Sequence, residues 1–192
     1  MIIFFPTFVK DIFAYLFMNT MNNLTKLILR RKSIRCFAEC SVSDTQLSTL
    51  LRVAMAAPTA KNAQPWHFIV IKERDVLDCL AEKLPYAKML SSAALAIVVC
   101  GDTQVHTGES AQNWIMDCAA ATQNILLVAE SMELGAVWTA VYPYPDRIDA
   151  VRTALQLPPH IMPLNVIPIG APMGNERPLD KWKPERIHQE KW

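Results

Sequence analysis

The stretch from Ala111 to Leu134 constrains this chain more than any other. It is the longest helical pattern in the sequence, carries few charges and contains the small-residue run DCAAATQN. A helix that is apolar on most of its sides is normally central and buried rather than laid on a surface. Gly135 follows as a suitable C-terminal cap. A sheet of the same chain covers only part of such a helix, so a partner subunit is a natural candidate for the rest.

Other elements arrange themselves around it. Ala93 to Cys100 is a continuous apolar run, as expected of a strand covered on both faces. Phe68 to Ile71, Ala136 to Val141 and Leu164 to Ile169 read as further strands. Between Asn22 and Arg31, Leu24, Leu27 and Ile28 fall at helical spacing, and the cations Arg30, Arg31 and Lys32 suit a helix C-terminus. Ser43 and Asp44 can cap a helix with the apolar face Leu47, Leu50, Leu51 and Ala54, which must stop before Pro58. Asp75 to Leu84 and Asp146 to Leu155 are shorter helices, and the polar stretch from Thr103 to Ser110 is a loop. Interleaved helices and strands give an α/β or α+β class with a central sheet.

At 192 residues the chain has room for one domain with a sizeable core. It has 5 Gly against 13 Pro, no flexible linker and no internal repeat. A formal net charge of +1 argues against a broad nucleic-acid footprint. Basic residues gather from Arg30 to Arg35 and from Arg177 to Arg186, which leaves room for local anion binding. The 5 cysteines are odd in number and form no C-x-x-C pair. A disulfide framework or a metal site is therefore not expected, and small buried thiols in a reducing cytosol are. The segment Ile2 to Met18 is apolar, but Pro6, Lys10 and Asp11 interrupt it. Its runs are too short to span a bilayer, and it lacks the basic start and small-residue end of a signal peptide, so no stable membrane association is expected. Residues 1–20 read as an extension from an upstream start codon, with the core beginning near Met21. A strand or helix arm packed on a partner is the alternative.

Four segments carry chemistry-bearing residues. In Arg31-Lys32-Ser33-Ile34-Arg35, Arg31 and Arg35 share a helical face, or Arg31, Ser33 and Arg35 share an extended one. Two guanidinium forks and a hydroxyl suit a phosphate; the plain alternative is a solvated helix end. In Ala57-Pro58-Thr59-Ala60-Lys61-Asn62-Ala63-Gln64-Pro65-Trp66, prolines stiffen a loop that offers the amides of Asn62 and Gln64. Such amides can read a heterocycle with alternating N–H and C=O groups, or simply satisfy their own backbone. Gly135-Ala136-Val137-Trp138-Thr139 is a tight turn into a strand, where a glycine allows close approach of a flat ligand. Trp138 can pack on a ring or in the core. The tail after Gly170-Ala171-Pro172 brings Arg177, Lys181, Lys183 and Arg186. His106 reads as an exposed loop histidine and His188 as structural.

Taken in order, RRKSIRCF, APTAKNAQPWHFIVI, DCAAATQNILLVAESMELGAVWTAVYPYP and IGAPMGNERPLDKWKPERIHQEKW resemble the successive signature blocks of the nitroreductase family. The resemblance runs from about Leu24 to Trp192. It implies an α+β fold, a three-layer α/β/α sandwich with a central, mostly antiparallel sheet, that forms a homodimer with FMN at the subunit interface. Residues 21–192 would be one FMN-binding domain. Arg31, Lys32, Ser33 and Arg35 would hold the FMN phosphate and the pyrimidine side of the ring. Pro58, Thr59, Asn62 and Gln64 would contact the flavin, partly from the second subunit. Gly135, Val137, Trp138 and Thr139 would lie along the ring. Lys181 fits one of two basic positions that the family often places on the phosphate; Leu179 occupies the other, and Arg177 can compensate.

The implied activity passes hydride from NAD(P)H through flavin N5 to an electron-poor small molecule such as a nitroaromatic or quinone, in the cytoplasm. Because the cofactor carries the chemistry, no protein acid or base and no metal is expected. Tyr86 to Trp114 would supply a substrate lid. Three competing readings stand beside this one: an FMN-binding protein without turnover, a family member doing other flavin chemistry, and a membrane-associated protein using its apolar N-terminus.

Overall fold

The computed structural model describes residues 22–192. The reading of residues 1–20 as an upstream extension falls outside the described residues. The elements run α1 (Asn23–Arg30), β1 (Phe37–Ala38), α2 (Asp44–Ala54), β2 (Trp66–Ile71), α3 (Arg74–Lys83), β3 (Leu95–Asp102), α4 (Asn113–Ser131), β4 (Gly135–Ala136), β5 (Thr139–Ala140), α5 (Pro145–Leu155) and β6 (Ile161–Pro172).

The sheet has the order β1-β6-β3-β2, with β4 and β5 also pairing β6. Every pairing is antiparallel. Strand β3 shows why the continuous apolar run matters. Leu95, Ile97 and Val99 face one core with α2 and α4, through Leu50, Ala54, Cys118, Ala121 and Ile125. Ala96, Val98 and Cys100 face a second core with α3 and α5, through Leu77, Leu80 and Val151. Residues alternate sides along a strand, so an unbroken apolar run needs a helical layer on each face. The result is the expected three-layer α/β/α arrangement.

Local signals set several boundaries. Ser43 accepts from the Gln46 amide while the Gln46 side chain accepts from the Ser43 amide, a reciprocal cap on α2. Asn22 caps α1 through the Thr25 amide at 2.8 Å. Helix α4 buries Trp114, Cys118, Ala121, Ile125 and Ala129. Asn165 of β6 ties α4 to the sheet by donating to Thr122 Oγ1 at 2.9 Å.

Two strands depart from the sequence expectation. The segment expected as one strand from Ala136 to Val141 is split into β4 and β5, and β6 runs longer than Leu164–Ile169. One cause explains the split. Ile169 turns its carbonyl toward β3, accepting from the Ala94 amide at 2.9 Å. Pro168 therefore turns its backbone to the opposite side. The register of β4 and β5 on β6 is continuous, so Val137 falls opposite Pro168. Proline has no N–H to donate, and the ladder lapses there. Strand β6 also tolerates Pro163, beside an irregularity in register between Val99 and Cys100 of β3.

Candidate functional site

The lapse opposite Pro168 leaves Val137 and Trp138 outside the ladder, and a cavity of about 190 Å³ opens beside them. Val137, Trp138 and Thr139 line it together with Arg35. The fold thus brings together four of the candidate residues, from two segments about a hundred positions apart. The extended chain between α1 and β1 positions Arg35, and it is locked to the sheet when the Ile34 amide donates to the Ala136 carbonyl at 3.1 Å.

The extended form of that chain divides its side chains. Lys32 and Ile34 line a second groove with Arg30, Glu130 and Leu134. Lys32 Nζ lies 3.3 Å from Glu130 Oε1, an ion pair on α4. Lys32 is thus turned away from Arg35, and its charge is engaged. Arg31 and Ser33 are half-buried and make no side-chain hydrogen bond or ion pair among the described residues, so their donors remain available.

Gly135 has a different role from the expected close approach to a ligand. A Cβ there would lie 2.7 Å from Ile34 Cγ2 and 3.1 Å from Phe37 Cε1. The glycine lets β4 pack on the segment that carries Arg35, behind the cavity rather than in it.

The wall also includes Tyr86 and Met89, from the start of the segment expected as a lid, and three residues that the sequence reading did not single out: Pro85, Ala140 and Arg147. Arg147 lies in the first turn of α5. Its guanidinium stacks 3.8 Å from the Tyr144 ring centroid. Its Nη1 donates to the Ala140 carbonyl at 3.0 Å, while its buried Nε has no partner among the described residues. The spacing of Tyr144 and Arg147, one helical turn apart, is the signal that would have found it. The expected lid needs correction as well. Leu95–Asp102 within it is buried central strand, so only its flanks, such as exposed Tyr86, can cover a ligand.

Pro58, Thr59, Asn62 and Gln64 form a separate loop that lines neither cavity. Lys61, Asn62 and Gln64 all have positive φ, at 55°, 53° and 50°. The loop is knitted internally: the Gln64 amide donates to Thr59 Oγ1 at 3.2 Å, and Gln64 Nε2 donates to Asn62 Oδ1 at 2.9 Å. Both residues are exposed, and the Asn62 amide hydrogens and the Gln64 side-chain oxygen have no side-chain partner among the described residues. Arg177 and Lys181 are exposed on the tail and line neither cavity, although Glu176 and Pro178 on either side of Arg177 line the groove that holds Lys32.

His106 is not an exposed loop histidine. It is 5% exposed, and its Nε2 lies 2.9 Å from Asp117 Oδ2. The loop that carries it folds back on the first turns of α4. The cysteines are mixed: Cys36 is exposed, Cys40 and Cys79 are intermediate, and Cys100 and Cys118 are buried. Burial pushes the Cys100 thiol up to about 12. Burial, with the neighbouring Cys100 and Asp117 charges, raises Cys118 as well. Neither buried thiol is a thiolate at neutral pH, so neither is a nucleophile. No group of His, Cys, Asp and Glu among the described residues could hold a metal ion, and no described helix is long and apolar enough to cross a membrane.

The cavity wall brings together Arg35, Arg147 and the Trp138 ring, groups whose chemistry can meet a flat, anionic partner. The wall is cationic and aromatic, and the side-chain amides of Asn62 and Gln64 stand on the separate loop. Comparison with known proteins gives the family. The model of the Nitroreductase family matches residues 28–88 and 75–171. A protein of Methanothermobacter thermautotrophicus, provisionally named NADH dehydrogenase/NAD(P)H nitroreductase, is 41% identical over 170 residues, covering 88% of each chain. A crystal structure of a similarly named protein from Parabacteroides distasonis superposes with a TM-score of 0.85 at 50% identity, over 90% of this chain and 100% of that one. A Desulfovibrio desulfuricans protein provisionally called a nitroreductase, crystallised in complex with FMN, has a TM-score of 0.76 at 29% identity, over 90% and 99% of the two chains.

Proposed function

The chain belongs to the nitroreductase family, and from that premise we propose that it is a homodimeric, FMN-dependent oxidoreductase that carries electrons from NAD(P)H to an electron-poor small molecule, such as a nitroaromatic or a quinone. The observation that carries this reading is the shared cavity of Arg35, Val137, Trp138 and Thr139, on the fold of a relative crystallised with FMN.

The donor set fits FMN. Arg31, Ser33 and Arg35 supply two guanidinium groups and a hydroxyl for a phosphate and for the oxygen-rich pyrimidine edge. Asn62 and Gln64 supply a donor and an acceptor for a ring edge that alternates N–H and C=O. Trp138 supplies a face. The chemistry that bound FMN would contribute is two-electron transfer between the nicotinamide and the acceptor. The protein's own part is to bind, orient and tune. A cation at the pyrimidine edge favours added negative charge there and so favours the reduced state.

The loop with Asn62 and Gln64 lies apart from the cavity within one chain, which supports a second subunit delivering it. Other surfaces also suit a second copy. Helix α1 exposes Leu24, Ile28 and Leu29, α4 exposes Met116, and the tail exposes Leu179 and Trp182. Apolar residues gathered on one helix face normally meet a partner. In such a dimer Arg177 and Lys181 would reach the phosphate from the tail. Residues 21–192 would act as one domain, working in the cytoplasm.

The test is optical. Purified protein supplied with FMN and then freed of unbound flavin by gel filtration should be yellow, with bands at about 370 and 450 nm, and should bleach within seconds when NADH or NADPH is added anaerobically. A protein that stays colourless would overturn the proposal. A yellow protein that does not bleach would leave FMN binding without turnover.

A further inference from the structure

The loop from Thr59 to Gln64 is strained, and something must hold it. Three non-glycine residues in the left-handed region cost on the order of 1–2 kcal/mol each relative to ordinary backbone. Such strain persists only where the surroundings over-determine it. The bonds inside the loop close it on itself but do not fix it to the body of the protein. One side-chain hydrogen bond does: the Ala60 amide donates to Asp117 Oδ1 at 3.1 Å.

Asp117 is built for this role. It sits on α4 and is 5% exposed. Its second oxygen, Oδ2, lies 2.9 Å from His106 Nε2, and His106 is equally buried. Each carboxylate oxygen thus has one partner, from two different segments. A buried carboxylate without partners would be costly, so both contacts are needed to keep it there. The core alone does not require a polar pair at this point, because Trp114, Cys118 and Ala121 around it on α4 pack as apolar residues.

We propose that Asp117, held by His106, is a positioning residue that fixes the Asn62–Gln64 loop in its strained form for reading the flavin edge. The inference rests on the FMN reading above. Neither Asp117 nor His106 touches the cofactor; both act through the Ala60 amide.

The test uses the dimeric protein with FMN and measures the FMN dissociation constant by quenching of flavin fluorescence, alongside the thermal midpoint of the apoprotein. Asp117→Ala should weaken FMN binding by on the order of tenfold or more, the scale on which misplacement of binding groups acts. Asp117→Asn keeps an acceptor oxygen for the Ala60 amide and should bind close to the wild-type value. Ala60→Pro deletes only the donor. Thr59, at φ −135° and ψ 151°, already has the extended backbone that a following proline requires. Ala60→Pro should therefore weaken FMN binding as Asp117→Ala does, with fold retained. Folded Asp117→Ala with wild-type FMN affinity would overturn the proposal, even if its thermal midpoint fell, because the pair would then be structural only. If Asp117→Ala does not fold, Ala60→Pro decides: unchanged affinity overturns the proposal and weakened affinity supports it. Wild-type protein that takes up no FMN would instead defeat the functional reading itself, before any variant is compared.

Discussion

The two halves of the candidate site are built in opposite ways. The Arg35 half is made by packing. Ile34 is 2% exposed, its amide bonds to Ala136, and Gly135 lets the two segments touch. The Asn62–Gln64 half is made by an exposed loop with three residues at positive φ and one side-chain bond to a buried carboxylate. The first gains its geometry from the same burial that stabilises the fold. The second holds its geometry against local strain. A change in the buried framework of the first half, Ile34 or Gly135, should therefore register in stability and binding together, and a change in the second half should separate them.

The largest expected effect breaks the packed half. Ile34→Ala should cost about 2–5 kcal/mol of stability, the range for an emptied buried aliphatic site, read by chemical denaturation. It should weaken FMN binding as well, because Arg35 shares the segment. Gly135→Ala comes next. Its Cβ must displace Ile34 or Phe37, and overpacking of this kind costs about 1–3 kcal/mol. A Gly135→Ala protein of wild-type stability would mean that the two segments are looser than described. In the loop, Lys61→Gly should change stability in the other direction, by up to about 1 kcal/mol. It relieves a positive φ but frees the unfolded chain. The same change should weaken FMN binding, so a variant both more stable and tighter-binding would contradict the division. The smallest stability effect belongs to exposed Arg35. Arg35→Ala should stay within about 0.5 kcal/mol of wild type, yet lower the midpoint potential of the bound flavin. An unchanged potential with FMN bound would place the tuning cation elsewhere.

Much of the fold was legible because short-range signals and burial agreed. The apolar run of β3, the small-residue pattern of α4 and the cap at Ser43 each state a local requirement that the tertiary structure then meets. Arg35, Val137, Trp138 and Thr139 were legible as candidates from residue chemistry and their order in the chain, and the fold places all four on one cavity. Arg147 was overlooked: its one local sign is Tyr144 a helical turn before it, and that spacing shows a stacked pair but not the cavity it borders. His106 was misjudged for a related reason. Its polar, loop-like neighbours say nothing of a carboxylate eleven positions on that closes over it.

The sequence by itself determined the layers, the family resemblance and which residue types could meet a phosphate and a ring, because hydrophobic period and residue chemistry are properties of the chain alone. Only the tertiary structure decided that Pro168 would fall opposite Val137 and break a strand there, that Lys32 would turn to Glu130, and that Asp117 would take the Ala60 amide. Register, facing and pairing across long separations depend on which segments pack together. No local pattern encodes a partner that distant.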